Sequence, residues 1–137
     1  MLLPSDFLGS WTIERTIDDR LTGRPGRFDG TATFTEEGAT LRYREEGALR
    51  LGDGPPLQAT RENLWRWEGG EVAVLFADGR PFHRLVPWGD GPGTDHRCGS
   101  DLYRVRYDLT SWPLWRAEWQ VEGPRKAYVL RSLYARP

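Results

Sequence analysis

Two runs near the C-terminal end of the chain leave little freedom. Tyr103, Val105, Tyr107 and Leu109 alternate with Leu102, Arg104, Arg106 and Asp108. Trp115, Ala117, Trp119 and Val121 then alternate with Arg116, Glu118, Gln120 and Glu122. A period of two belongs to a β-strand with one face in a core and the other in water, whereas a helix repeats at about 3.6. Ser111-Trp112-Pro113 and Gly123-Pro124 are turn signals that fold such strands back on themselves. Lys126 to Arg136 follows as a last strand, with Tyr128, Leu130, Ser132, Tyr134 and Arg136 on one face and Val129, Arg131 and Leu133 on a rival one.

The same pattern recurs upstream. Phe28, Gly30, Ala32 and Phe34 share a face across from Thr31, Thr33 and Thr35, and a tight hairpin is expected at Glu37-Gly38. Leu41, Tyr43 and Glu45 make the apolar side of the next strand, which carries Glu45 inward; Arg15, Arg61 and Lys126 either add positive charge for a ligand or are rim residues or partners of Glu45 and Asp78. Leu57 to Trp67 puts Arg61, Asn63, Trp65 and Trp67 on one side, and Val72, Val74 and Phe76 follow after Glu68-Gly69-Gly70-Glu71. The Gly-rich stretch Pro87–Ser100 reads as the longest loop. Nine or ten short strands with short links predict an all-β fold. It is a single antiparallel up-and-down β-barrel of about eight to ten strands, spanning 1–137 as one domain. Closing a meander into a barrel removes its exposed edges.

Composition narrows the function classes. The chain has 137 residues and a formal net charge of -1, with no basic excess to suit nucleic acid. No apolar run is long enough for a membrane helix. The N-terminus lacks the basic and apolar regions of a secretory signal. One cysteine, Cys98, excludes an internal disulfide, and a cytoplasmic setting is expected. Seven Trp, five Tyr and five Phe accompany few aliphatic residues. Rings on strand faces either fill a core or line a pocket for a small ligand.

The N-terminal stretch specifies how such a barrel closes. Pro4-Ser5-Asp6 suits a short helical turn, Gly9 breaks it, and Trp11, Ile13 and Arg15 then share one strand face. In an up-and-down barrel the first and last strands pair antiparallel. That brings Trp11 to Arg136, where a guanidinium stacks on an indole. Gly9-Ser10-Trp11 with Arg136 resembles the lipocalin-like, or calycin, superfamily, which opens with Gly-x-Trp after a helical turn and ends on a basic residue against that Trp. Phe76-Ala77-Asp78-Gly79-Arg80-Pro81-Phe82-His83, His96-Arg97-Cys98-Gly99-Ser100-Asp101-Leu102-Tyr103 and Gly123-Pro124-Arg125-Lys126 resemble a bacterial lipocalin-like family of uncharacterised activity. The resemblance implies small-molecule binding inside the barrel. Lys126-x-Tyr128 is similar to the Arg-x-Tyr pair that holds carboxylates in intracellular fatty-acid carriers, with Lys in place of Arg.

The candidate ligand-binding residues are Arg15, Tyr43, Arg61, Trp65, Asp78, His83, Tyr103, Trp119, Lys126 and Tyr128. Trp11 and Arg136 are assigned to closure, and no residue to a metal. Asp78 could orient His83 for proton transfer with Tyr103, which would make an enzyme; Asp78 paired with Arg80 in a turn is the plainer reading. His96, Cys98, Asp101 and Asp95 read as a solvated loop rather than a nucleophilic or zinc site. The leading expectation is a barrel binding a partly apolar, anionic small molecule. The alternatives are an enzyme and a haem barrel using His83 or His96. No cofactor is specified, no nucleic-acid or membrane partner is expected, and a homodimer is compatible.

Overall fold

The alternation is realised as one eleven-stranded antiparallel sheet in a computed structural model that describes residues 1–137. A one-turn helix, α1 (Pro4–Phe7), precedes β1 (Gly9–Asp19), β2 (Pro25–Glu37), β3 (Thr40–Leu51), β4 (Leu57–Glu68), β5 (Glu71–Phe76) and β6 (Pro81–Leu85). Next come β7 (Asp90–Pro92), β8 (His96–Cys98), β9 (Asp101–Asp108), β10 (Trp115–Gly123) and β11 (Lys126–Ala135). The order is β6-β5-β4-β3-β2-β1-β11-β10-β9-β7, with β8 also on β9. The expected all-β meander is thus a nearly closed barrel. The stretch expected to be one long loop instead contains β7 and β8. Each is three residues, too short to show alternation, and each is held by pairing to β9.

Closure follows from β1 pairing with β11, from Thr12 opposite Ala135 to Asp19 opposite Tyr128. The remaining seam, between β6 and β9, is stitched by the chain after β7. The Gly93 N–H donates to the Val105 carbonyl at 3.0 Å and the Thr94 N–H to the Arg84 carbonyl at 2.9 Å. The Arg84 N–H returns a bond to Thr94 Oγ1 at 2.8 Å. Gly30 faces Gly47 across β2 and β3. A Cβ on Gly47 would lie 2.2 Å from the Asp29 carbonyl oxygen, so only glycine permits that approach.

One end of the barrel is plugged. Phe7, at the end of α1, is fully buried among Phe34, Trp65, Trp67, Trp112 and Trp115, with ring centroids 4.7–5.7 Å away. Trp11 donates its indole N–H to the Phe7 carbonyl at 2.9 Å, and Trp67 donates to the Leu2 carbonyl at 3.1 Å. Two indoles therefore satisfy backbone oxygens at the helix that the barrel would otherwise bury unpaired. The Arg136 guanidinium carbon stands 3.7 Å from the Trp11 ring centroid, and its nitrogens donate to the Ser10 and Asp6 carbonyls at 3.0 Å.

The opposite end is open. Ile17, Leu51, Tyr128 and Leu130 continue the inner face there and border a hollow of about 350 Å³. The outer wall carries short-range ion pairs, such as Arg84 with Glu68 at 2.6 Å and Arg131 with Glu118 at 3.4 Å. A hollow of about 420 Å³ on this wall is lined by similarly balanced charges, including Arg106 with Asp90 at 2.9 Å. No helix is long and apolar enough to cross a membrane.

Candidate functional site

The inner face of β11 is the even-numbered one. Ser132 faces Ala117 and Tyr134 faces Trp115 across β10, and both are buried. Their neighbours on β1 and β3 bring a charged group inside. Arg15 donates to both oxygens of Glu45, at 2.6 and 3.2 Å, and through Nε to Ser132 Oγ at 2.7 Å. The side chains of Arg15 and Glu45 are only 9% and 4% exposed. Tyr43 spends its proton on Glu45 Oε1 at 2.6 Å, so the 2.9 Å contact between Tyr134 and Tyr43 has Tyr134 as donor. Arg61 adds a further bond to Glu45 Oε1 at 3.2 Å.

Burial by itself would raise the Glu45 carboxyl. The charges of Arg61 and Arg15 and the bonds from Arg15 and Tyr43 outweigh it and hold the group at about 2. Two guanidinium groups thus share one carboxylate, which leaves one positive charge in excess. Arg15 is committed on several sides. Arg61 makes this one hydrogen bond, its side chain is 41% exposed, and a guanidinium carries five N–H donors.

Deeper in, His83 Nε2 is 2.8 Å from the Tyr107 hydroxyl, and the two rings stack at 5.8 Å. Burial, with Arg61 and His96 nearby, drops the imidazole to about 3, and burial likewise pushes the Tyr107 phenol well up. Both groups are therefore neutral across the physiological range. His83 Nδ1 and Trp115 Nε1 are buried without a hydrogen-bond partner in the protein.

The structure gathers Arg15, Tyr43, Arg61, Trp65, His83 and Trp119 on the wall of one interior cavity. Asn63, Tyr107, Trp115, Ser132 and Tyr134 complete much of that wall and were not among the candidates. Parity on β4, β9, β10 and β11 carried the signal for them. Tyr103, Lys126 and Tyr128 lie towards the open end. There Lys126 donates to the Tyr103 hydroxyl and pairs with Asp101, both at 3.2 Å, so its charge is already matched.

Asp78 is elsewhere. It sits exposed in the turn between β5 and β6 and binds Arg80 at 2.7 Å, while His83 turns inward to Tyr107. The plainer reading, Asp78 paired with Arg80 in the turn, is the one found; the Asp78–His83 alternative and the placing of Asp78 among the cavity residues are corrected, because the turn's own arginine holds the carboxylate outside. Space for a water-sized sphere amounts to about 20 Å³, room for a single water-sized group and far short of a porphyrin. His96 packs its ring against Phe76 and Phe82 at 5.5 and 5.1 Å.

Comparison with known proteins places the chain. The model of DUF6314, a family of unknown function, matches residues 7–136. The chain belongs to the DUF6314 family. Among solved structures, the DUF6314 barrel is similar to the S-type phycobiliprotein lyase CPES from Guillardia theta. That similarity has a TM-score of 0.60 at 10% identity and covers 98% of this chain and 90% of the lyase. It is also similar to a DUF3598-family protein of unknown function from Nostoc punctiforme, with a TM-score of 0.61 at 16% identity and 98% of this chain covered. The DUF6314 chain spans about half of that second protein, 48% of its length. At these identities the likeness is one of fold. No curated protein matches the DUF6314 chain.

Proposed function

We propose that this DUF6314 chain is a lipocalin-like binding barrel for a small, partly apolar anion. The observation that carries the reading is the buried group of Arg15, Glu45 and Arg61, whose excess positive charge resides on the half-exposed, under-bonded Arg61. Two guanidinium groups against one carboxylate leave a cation at the cavity edge that the protein does not neutralise, and a ligand anion would pair with it through charge-assisted bonds. The half-exposed Ile17, Leu51, Tyr128 and Leu130 offer apolar surface for the rest of the molecule at the open end. Interior space is too small for the ligand body, so only its polar head reaches past Arg61. The barrel fold shared with a phycobiliprotein lyase supports the reading of a binding barrel. The exposed, unpaired Cys98 suits a reducing compartment.

Isothermal titration with decanoate and with decylammonium tests this. The carboxylate should bind and the ammonium should not, and Arg61→Gln should weaken the carboxylate by about tenfold or more, as expected for one charge-assisted contact. The absence of binding by any carboxylate of this series, together with no small-molecule adduct in native mass spectrometry of protein drawn from cell extract, would sink the reading.

A further inference from the structure

The Arg61 contact explains a charge but leaves two buried atoms without a role. Trp115 Nε1 and His83 Nδ1 both belong to residues of the same cavity wall, 1% and 5% exposed respectively, and neither has a partner. An orphaned buried polar group is destabilising, and a native fold rarely keeps two on one cavity wall without use.

Their chemistry can be read from bond counting. The indole nitrogen is a donor only. For His83 there are two arrangements. If the Tyr107 hydroxyl donates to Nε2, the phenol proton is satisfied and Nδ1 carries a single orphan N–H. If instead Nε2 donates to Tyr107, the phenol proton and the Nδ1 lone pair are both orphaned. The first arrangement leaves fewer unsatisfied groups, so Nδ1 bears the proton. The wall then offers two neutral N–H donors, and Arg61 adds its unspent ones. Of the other polar groups there, Asn63 spends one of its two amide N–H bonds on the Leu75 carbonyl at 3.2 Å and keeps the other beside its own oxygen, while Ser132, Tyr43 and Tyr134 are engaged with Arg15 and Glu45. Donors dominate.

The geometry points to an oxygen-reading wall in which Trp115 Nε1–H and His83 Nδ1–H each offer a donor to acceptor oxygens of the ligand head, carboxylate oxygens in the first instance. This assignment rests on the binding reading above and sharpens it. Arg61 selects for negative charge, while the Trp115–His83 pair selects for an acceptor atom, and Tyr107 acts as a positioning residue that fixes the His83 tautomer. The space of about 20 Å³ accommodates one oxygen and excludes a bulkier terminus such as a sulfonate.

Nitrogen-15 NMR on the intact chain tests the pair directly. His83 should show the Nδ1–H tautomer in free protein, and Tyr107→Phe should disturb it. Titration with sodium formate, with sodium chloride as the control, should shift the Trp115 indole N–H and the His83 Nδ1–H resonances together. Trp115→Phe should weaken decanoate about tenfold while leaving the preference over decylammonium intact. An Nε2–H tautomer, or formate titration that moves neither resonance, overturns the subsite. If decanoate binds Trp115→Phe and His83→Phe as tightly as wild type but is lost by Arg61→Gln, the subsite fails and the anion-binding reading stands. If decanoate fails to bind wild type while formate still shifts both resonances, the subsite stands and the partly apolar ligand is wrong.

Discussion

Glu45 is where single side chains decide the stability of the interior. It neutralises Arg15, accepts from Tyr43 and holds Arg61, so Glu45→Gln leaves two guanidinium groups facing one neutral amide. Breaking a buried pair by removing one partner costs about 3–5 kcal/mol. Urea denaturation of Glu45→Gln should show a loss of that size, and a loss below about 1 kcal/mol would mean the group is solvated. Acid adds a second signature. His83 titrates at about 3 when folded against an ordinary 6.5, so between those values the unfolded chain binds more protons and stability falls as pH falls. Glu45, held at about 2 against 4.5, contributes stability that is complete above 4.5 and is lost on further acidification. Between pH 7 and pH 5 the His83 effect alone should lower the unfolding free energy by about 2 kcal/mol. His83→Phe should flatten that decline by more than half, whatever its own baseline stability.

At the level of strands, what could be read in advance was whatever alternation encodes. Trp11, Ile13 and Arg15, the Leu41–Tyr43–Glu45 face and the β9 and β10 faces were all legible because parity is local. Partners were not. Arg15 meets Glu45 thirty residues on, and His83 meets Tyr107 twenty-four on, through registers that depend on how far each strand slides past the next. Asp78 shows the other side of this: its pairing with Arg80, two residues on, was legible because it stays within one turn. The Gly30–Gly47 crossing was hidden, because a glycine shows no face. Its importance can be measured. Gly47→Ala would set a methyl against the backbone of β2, 2.2 Å from the Asp29 oxygen and 2.5 Å from the Gly30 Cα, and should cost at least about 2 kcal/mol. Gly91→Ala, with nothing within 4 Å, should stay within about 0.5 kcal/mol by the same denaturation assay.

For the molecule as a whole, the barrel divides into a sealed end that holds it together and an open end bordered by Ile17, Leu51, Tyr128 and Leu130. The seal is made by residues far apart in the chain, yet its members are unequal. Trp11 is fully buried, so Trp11→Ala should cost about 3–5 kcal/mol, whereas Arg136 is solvent-facing and Arg136→Ala should cost about 1 kcal/mol. Comparable losses from both would mean that the stack, rather than the buried indole, maintains closure. The ring network behind the seal also determines how the protein interacts with light. Trp11 lies 5.3 Å from Trp112 and 5.9 Å from Trp115, and Trp115 lies face to face with Tyr134 at 3.8 Å. At such separations electronic transitions couple, so near-ultraviolet circular dichroism records the assembly of rings rather than any one chromophore. Trp88, 64% exposed, stands apart from that network and emits on its own. With Trp88 replaced by phenylalanine, the remaining indole emission is an intrinsic optical gauge of the barrel interior.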